Sequence, residues 1–145
     1  MMRTLAAALL FVYATALAAD DPAAGAREAV AGFAGGISND NPELALSYVS
    51  KKLPSYGSFA RNLRALLQQN EVTSSAGPVS NEGDDLKRVL ELDWYLEIRS
   101  KSGELALVRR RETVRCTVER VSLKKKWMVT EFEPARLLEV PPLPR

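Results

Sequence analysis

The chain has 145 residues, 20 Lys and Arg against 18 Asp and Glu, one Cys and no His. That length bounds it to one domain, and so even a charge balance argues against a dedicated nucleic-acid binder. With no His and only Cys116, it has no Ser–His or Cys–His catalytic pair, no internal disulfide and no usual zinc site; no metal and no cofactor is expected.

The start, MMRTLAAALLFVYATALAAD, reads as a secretory signal over residues 1–18. Arg3 supplies the basic n-region, Leu5 to Leu17 the apolar stretch, and Ala16-Leu17-Ala18 a small-x-small cleavage site. The apolar run is short for a membrane span of about 20 residues, so the expectation is an exported protein, periplasmic or secreted, with no membrane contact after cleavage. A single domain then runs over 19–138, and residues 139–145, ending in PPLPR, form a flexible tail.

Asp21-Pro22 is a helix start, and Ala26, Val30, Phe33 and Ile37 recur on one helical face. Asn41-Pro42-Glu43 repeats the start signal, with Leu44, Leu46, Tyr48 and Val49 as the apolar side and Leu53-Pro54 as the stop. Ser55 is the expected cap of a third helix, striped by Phe59, Leu63, Leu66 and Leu67 and ending near Asn70. The period then changes to two. Glu71 to Val79 is a modest strand, and Asn81 to Asp85 has turn chemistry. In LKRVLELDWYLEIRS, Leu90, Leu92, Trp94, Leu96 and Ile98 face one way and Glu91, Asp93, Tyr95 and Glu97 the other. A tight turn at Lys101–Gly103 leads into RRRETVRCTVER, and WMVTEFEPARLL supplies the last strand, stopped near Pro134.

RRRETVRCTVER holds five arginines in twelve residues. The apolar even positions of both long strands require even to pair with even, because a one-residue slip inverts every side chain. The simplest such register sets Asp93 opposite Arg111, Tyr95 opposite Arg109 and Val89 opposite Arg115, so the odd-face arginines meet acids within the sheet and no nucleic-acid partner is expected. Arg110 and Glu112 fall on the apolar even face, opposite Trp94 and Leu92. Two readings stand: a bulge or the sheet rim lets them reach water, or they line the mouth of a cavity between sheet and helices.

Three helices followed by four antiparallel strands is an α+β pattern. NPELALSYVS after a first helix, the Phe59–Leu67 helix, SNEGDD before RVLELDWYLEIRS, then RRRETVRCTVER and KKWMVTEFEP resemble the nuclear transport factor 2-like (SnoaL-like, cystatin-like) superfamily, in particular its exported bacterial members; the likeness covers about residues 21–138. The resemblance implies a curved sheet wrapped around the helices as a cone, an apolar pocket at its wide end, and dimerisation through the outer sheet face. The superfamily holds isomerase-, dehydratase- and cyclase-like enzymes beside non-catalytic domains. Its enzymes place an Asp or His in the pocket with a Tyr or a protonated acid as oxyanion donor. This chain lacks His and puts Asp93 on the odd face, so no catalytic residue carries over.

Three functions follow. The first is a non-enzymatic binding module whose pocket is lined by Phe33, Tyr48, Phe59, Leu92 and Trp94, with Arg110 and Glu112 at the mouth and a small apolar or carboxylate ligand. The second is an isomerase- or dehydratase-like enzyme using Glu112 or Asp93 for proton transfer, with Tyr48 or Tyr56 as donor. The third is a structural domain with a self-filled pocket that forms a homodimer through the outer sheet face.

Overall fold

The computed structural model describes residues 21–142, so the expected signal segment and the last three residues of the expected tail lie outside the described residues. Helix α1 (Pro22–Ser38) opens as its sequence demands: the Asp21 carboxylate accepts hydrogen bonds from the Ala23 and Ala24 amides, and Pro22 occupies the first turn. Ala26, Val30, Phe33 and Ile37 form its buried face. Helix α2 (Pro42–Leu46) is capped by the Asn41 side chain on the Leu44 amide, but it is one short turn rather than a helix reaching toward Leu53. The chain leaves it because Val49 is claimed by a parallel bridge to Val129, with Ser50 donating to the Val129 carbonyl and Val129 donating to the Tyr48 carbonyl. Helix α3 (Tyr56–Gln69) buries Phe59, Leu63, Leu66 and Leu67 as expected. Ser55 precedes it, but in a left-handed conformation (φ 57°), and its side chain caps nothing. Among the described residues no helix is long and apolar enough to cross a membrane.

Strands β1 (Asn70–Gly83), β2 (Lys87–Ser100), β3 (Val108–Glu119) and β4 (Met128–Glu133) form one antiparallel sheet in that order. β1 outruns its expected end at Val79. The turn moves to Asp84, whose carboxylate accepts from the Leu86 and Lys87 amides; those bonds hold its carboxyl below the usual value. A bulge between Pro78 and Ser80 leaves Val79 out of the ladder, in keeping with a proline that has no amide to donate.

Parity on β2 and β3 is as the alternation dictates. Leu90, Leu92, Trp94, Leu96 and Ile98 are buried, as are Val114, Cys116 and Val118. The register is two residues away from the one expected: Leu92 pairs with Val114, Trp94 with Glu112, Leu96 with Arg110, Asp93 with Thr113 and Tyr95 with Arg111. The tight turn at Lys101–Gly103 is there, with the Gly103 amide donating to the Ser100 carbonyl at 3.2 Å, but it does not lead directly into β3. Ser100 pairs with Asn70, and the Lys101 amide donates to the Gln69 carbonyl, so β2 stays bound to its other neighbours and β3 starts only at Val108.

The helices and the inner sheet face enclose Phe33, Phe59, Trp94 and Phe132, in which Phe33 and Phe132 each touch the other three rings at centroid distances of 5.2–6.1 Å. A 3₁₀ turn (Ala135–Leu138) then folds back, burying Leu137 and Leu138 and packing Val140 against the core. Arg110 Nη1 holds this strap, donating to the carbonyls of Leu137 (2.8 Å) and Glu139 (2.6 Å). Arg136 donates from the strap to Glu112 at 3.2 Å.

Two predictions follow from this packing. A methyl group on Gly36 would meet the Ala45 backbone, whereas one on Gly35 would meet nothing within 4 Å. Gly36→Ala is expected to destabilise by about 1–3 kcal/mol through overpacking, and Gly35→Ala to be neutral or stabilising by up to about 1 kcal/mol; urea unfolding of the pair checks this, and equal effects would contradict the packing. Arg110→Ala strips two carbonyls of a charged donor and should cost about 1–3 kcal/mol. Hydrogen exchange at the Leu137 and Glu139 amides should accelerate with it, and unchanged exchange there would show that Arg110 does not hold the strap.

Candidate functional site

Four of the five apolar residues expected to line a pocket do converge. Phe33, Phe59, Leu92 and Trp94 are buried together, and sequence reasoning missed a fifth partner, Phe132, because a register shift between Thr117 and Val118 breaks the alternation on β4 and turns both Val129 and Phe132 inward. They fill the space between helices and sheet by packing on one another. Trp94 Nε1 finds its acceptor in Ser74 Oγ at 2.8 Å, so the ring is also satisfied at its polar edge. Tyr48 is elsewhere. It lies half-buried against Gly32 of α1, with the Lys126 ammonium 4.1 Å from its ring centroid.

Arg110 and Glu112 sit on the even face, opposite Leu96 and Trp94, and the strap engages both. Burial lowers the Arg110 guanidinium from its ordinary value, with the nearby Glu139 carboxylate opposing the shift. Asp93 faces outward. Arg111 grips it with two hydrogen bonds, 3.0 Å from Nε and 2.6 Å from Nη2, which hold its carboxyl below the usual range. A tyrosine–carboxylate hydrogen bond does occur, Tyr95 to Glu97 at 2.9 Å, but on the outer face, where Arg109 also donates to Glu97. Of the five arginines in the stretch, Arg109 and Arg111 make outward ion pairs, Arg110 holds the strap, and Arg120 is buried, donating to the Asp85 and Leu123 carbonyls with its guanidinium 4.6 Å from the Trp127 ring centroid. Cys116 is buried, and desolvation pushes its thiol up to about 12, which keeps it protonated and unreactive. No group of His, Cys, Asp and Glu among the described residues could hold a metal ion.

Open space lies outside the aromatic interior. A groove of about 630 Å³ runs between the start of α3 and the end of β4, with Phe59 and Phe132 at its floor and Glu131, Glu133 and Glu139 among its walls. A second, of about 430 Å³, lies between α1 and β1. The helical and strand periods made the interior legible. The strap's role was not, although the Leu137-Leu138 pair between Pro134 and Pro141-Pro142 is the signal that could have shown a buried turn.

No protein-family model matches the sequence, and no curated protein matches it. Among solved structures, the chain is similar to a conserved protein from Planctomyces limnophilus at 11% identity and a TM-score of 0.65, covering 73% of this chain and 88% of that one. It is also similar to a nuclear transport factor 2-like superfamily protein from Salmonella enterica serovar Typhimurium at 13% identity and 0.60, covering 72% and 83%. A protein of unknown function with a cystatin-like fold from Nostoc punctiforme aligns at 15% identity and 0.52, covering 74% and 88%. At such identities the likeness is one of fold: the chain has the nuclear transport factor 2-like architecture of three helices packed on a four-stranded antiparallel sheet.

Proposed function

We propose that this chain is an exported, non-enzymatic binding module whose ligand is taken in a surface groove rather than in the interior of the cone. One observation carries the reading. The polar groups best placed to serve an internal site are already engaged, Arg110 by backbone carbonyls and Glu112 by Arg136, while four aromatic rings fill the space they would have served. The carboxyls considered for proton transfer, Asp93 and Glu112, are held in ion pairs and not beside a tyrosine hydroxyl. Export is supported by the leader-like residues 1–18. A ligand at a hundred times its Kd stabilises the folded state by about 2.7 kcal/mol. A panel of anionic, cationic and neutral apolar compounds should therefore yield at least one that raises the melting temperature by several degrees without being turned over. A panel without a hit, or a hit consumed with turnover, would refute the reading.

A second reading is favoured by the outer face. Asp93, Tyr95 and Glu97 on β2 lie beside Arg109 and Arg111 on β3. Two copies placed face to face about a two-fold axis would set acids against arginines, with Tyr95 near the centre. Sedimentation should then show a concentration-dependent dimer that Tyr95→Glu weakens at least tenfold. A monomer at all concentrations would remove this reading and leave the first intact.

A further inference from the structure

Arg120 ties two loops together at one end of the sheet, where β1 ends, β2 begins, β3 ends and β4 begins. Its amide donates to the Leu86 carbonyl (2.9 Å), its Nε to the Asp85 carbonyl (2.7 Å) and its Nη1 to the Leu123 carbonyl (3.3 Å). The turn after β1 and the loop after β3 are thereby held side by side. Their apolar side chains are left in water: Leu86 is 44% exposed, Val121 77% and Leu123 59%. The other exposed large hydrophobics among the described residues, Leu44, Val79 and Leu107, lie on separate elements. Single exposed aliphatics are ordinary surface, but three on two clamped loops form a patch.

Cations surround that patch. Lys87 follows Leu86, Lys124 and Lys125 follow Leu123, and Lys52 shares a hollow with Val121, Lys125 and Lys126. Lys52, Lys87, Lys124 and Lys125 are exposed and make no ion pair among the described residues. Lys126 is fixed beside them by the Ser47 carbonyl and the Tyr48 ring. The acids of the same loops are fewer. The Asp84 carboxylate is turned back on the Leu86 and Lys87 amides, which leaves Asp85 and Glu119. Lysine is depleted at the centre of protein–protein interfaces, so this composition disfavours a protein partner. It fits a bilayer interface, where aliphatic side chains reach past the headgroups and ammonium groups stay among them. Each lysine near an anionic lipid surface favours binding by roughly fivefold.

We infer that these two loops dock the protein on an anionic lipid bilayer, with Leu86, Val121 and Leu123 entering the interface and Lys87, Lys124 and Lys125 among the headgroups. The contact needs no part of residues 1–18. It goes beyond the binding-module reading and departs from the expectation that the mature chain meets no membrane.

The probe is vesicles of equimolar phosphatidylcholine and phosphatidylglycerol, set against vesicles of phosphatidylcholine alone. Co-sedimentation of the full chain should show the anionic vesicles bound roughly tenfold more tightly, or better, than the neutral ones. Lys124→Gln with Lys125→Gln should weaken binding to the anionic vesicles by roughly tenfold or more. Val121→Ser with Leu123→Ser should weaken it comparably. All four positions are exposed, so the melting temperature should not change. Val79→Ser, on an exposed aliphatic away from the lysines, should leave binding as it was. Equal binding to the two kinds of vesicle overturns the inference, as does binding undiminished by either pair (the result that adsorption through residues 1–18 would give). A loss on Val79→Ser as large as that of the aliphatic pair does the same. So does a dimer that the aliphatic pair dissociates in place of vesicle binding, which would make the patch a contact between copies.

Discussion

β2 is hydrogen-bonded on both edges along nearly its whole length, to β1 and to β3, and that double pairing fixes the direction of each of its side chains. Trp94 must point inward and Asp93 outward. A one-residue slip would enclose Glu91, Asp93 and Glu97 and expose five large apolar side chains, at a cost of several kcal/mol per buried ion. A two-residue slip inverts nothing. The position of the aromatic quartet, the outward ion pairs and the inward Arg110 and Glu112 are all consequences of that one parity.

Parity also creates the problem that the strap solves. A guanidinium projecting from an apolar face needs acceptors, because desolvation penalises its charge. The last carbonyls of a 3₁₀ turn need donors, because nothing beyond the turn supplies them. Arg110 and the Leu137–Glu139 segment meet each other's need, and Leu137 and Leu138 are drawn into the core as a result. The Arg136–Glu112 pair adds less, since both side chains remain substantially exposed. In this chain the even-face charges serve the protein's own C-terminal segment.

The parts of this arrangement that local pattern could reveal were legible. Asp21-Pro22 marked the start of α1, spacings of three and four identified its buried face, and alternation set which residues of β2 and β3 meet the helices. What was not legible depended on distant partners. Tyr48 and Val49 satisfy a helical spacing, yet Val129 takes Val49 into a bridge and ends α2 at Leu46. The register between β2 and β3 is set in part by the Gln69 carbonyl holding Lys101, which no hairpin rule encodes. Phe33, Phe59, Leu92 and Trp94 could be grouped because each obeys its own element's period. Arg110 could be placed on the correct face but not joined to Leu137, 27 residues later, without the fold.

The Pro78–Ser80 bulge has a further effect at the sheet's border. β1 is an edge strand of 14 residues, long enough to template the addition of a foreign strand. Pro78 removes one donor from that border, and the unpaired Val79 throws the donors on either side out of step. An incoming strand can match one half of the border or the other, but not both in a single straight run. The protein thereby resists edge-to-edge polymerisation through this border strand.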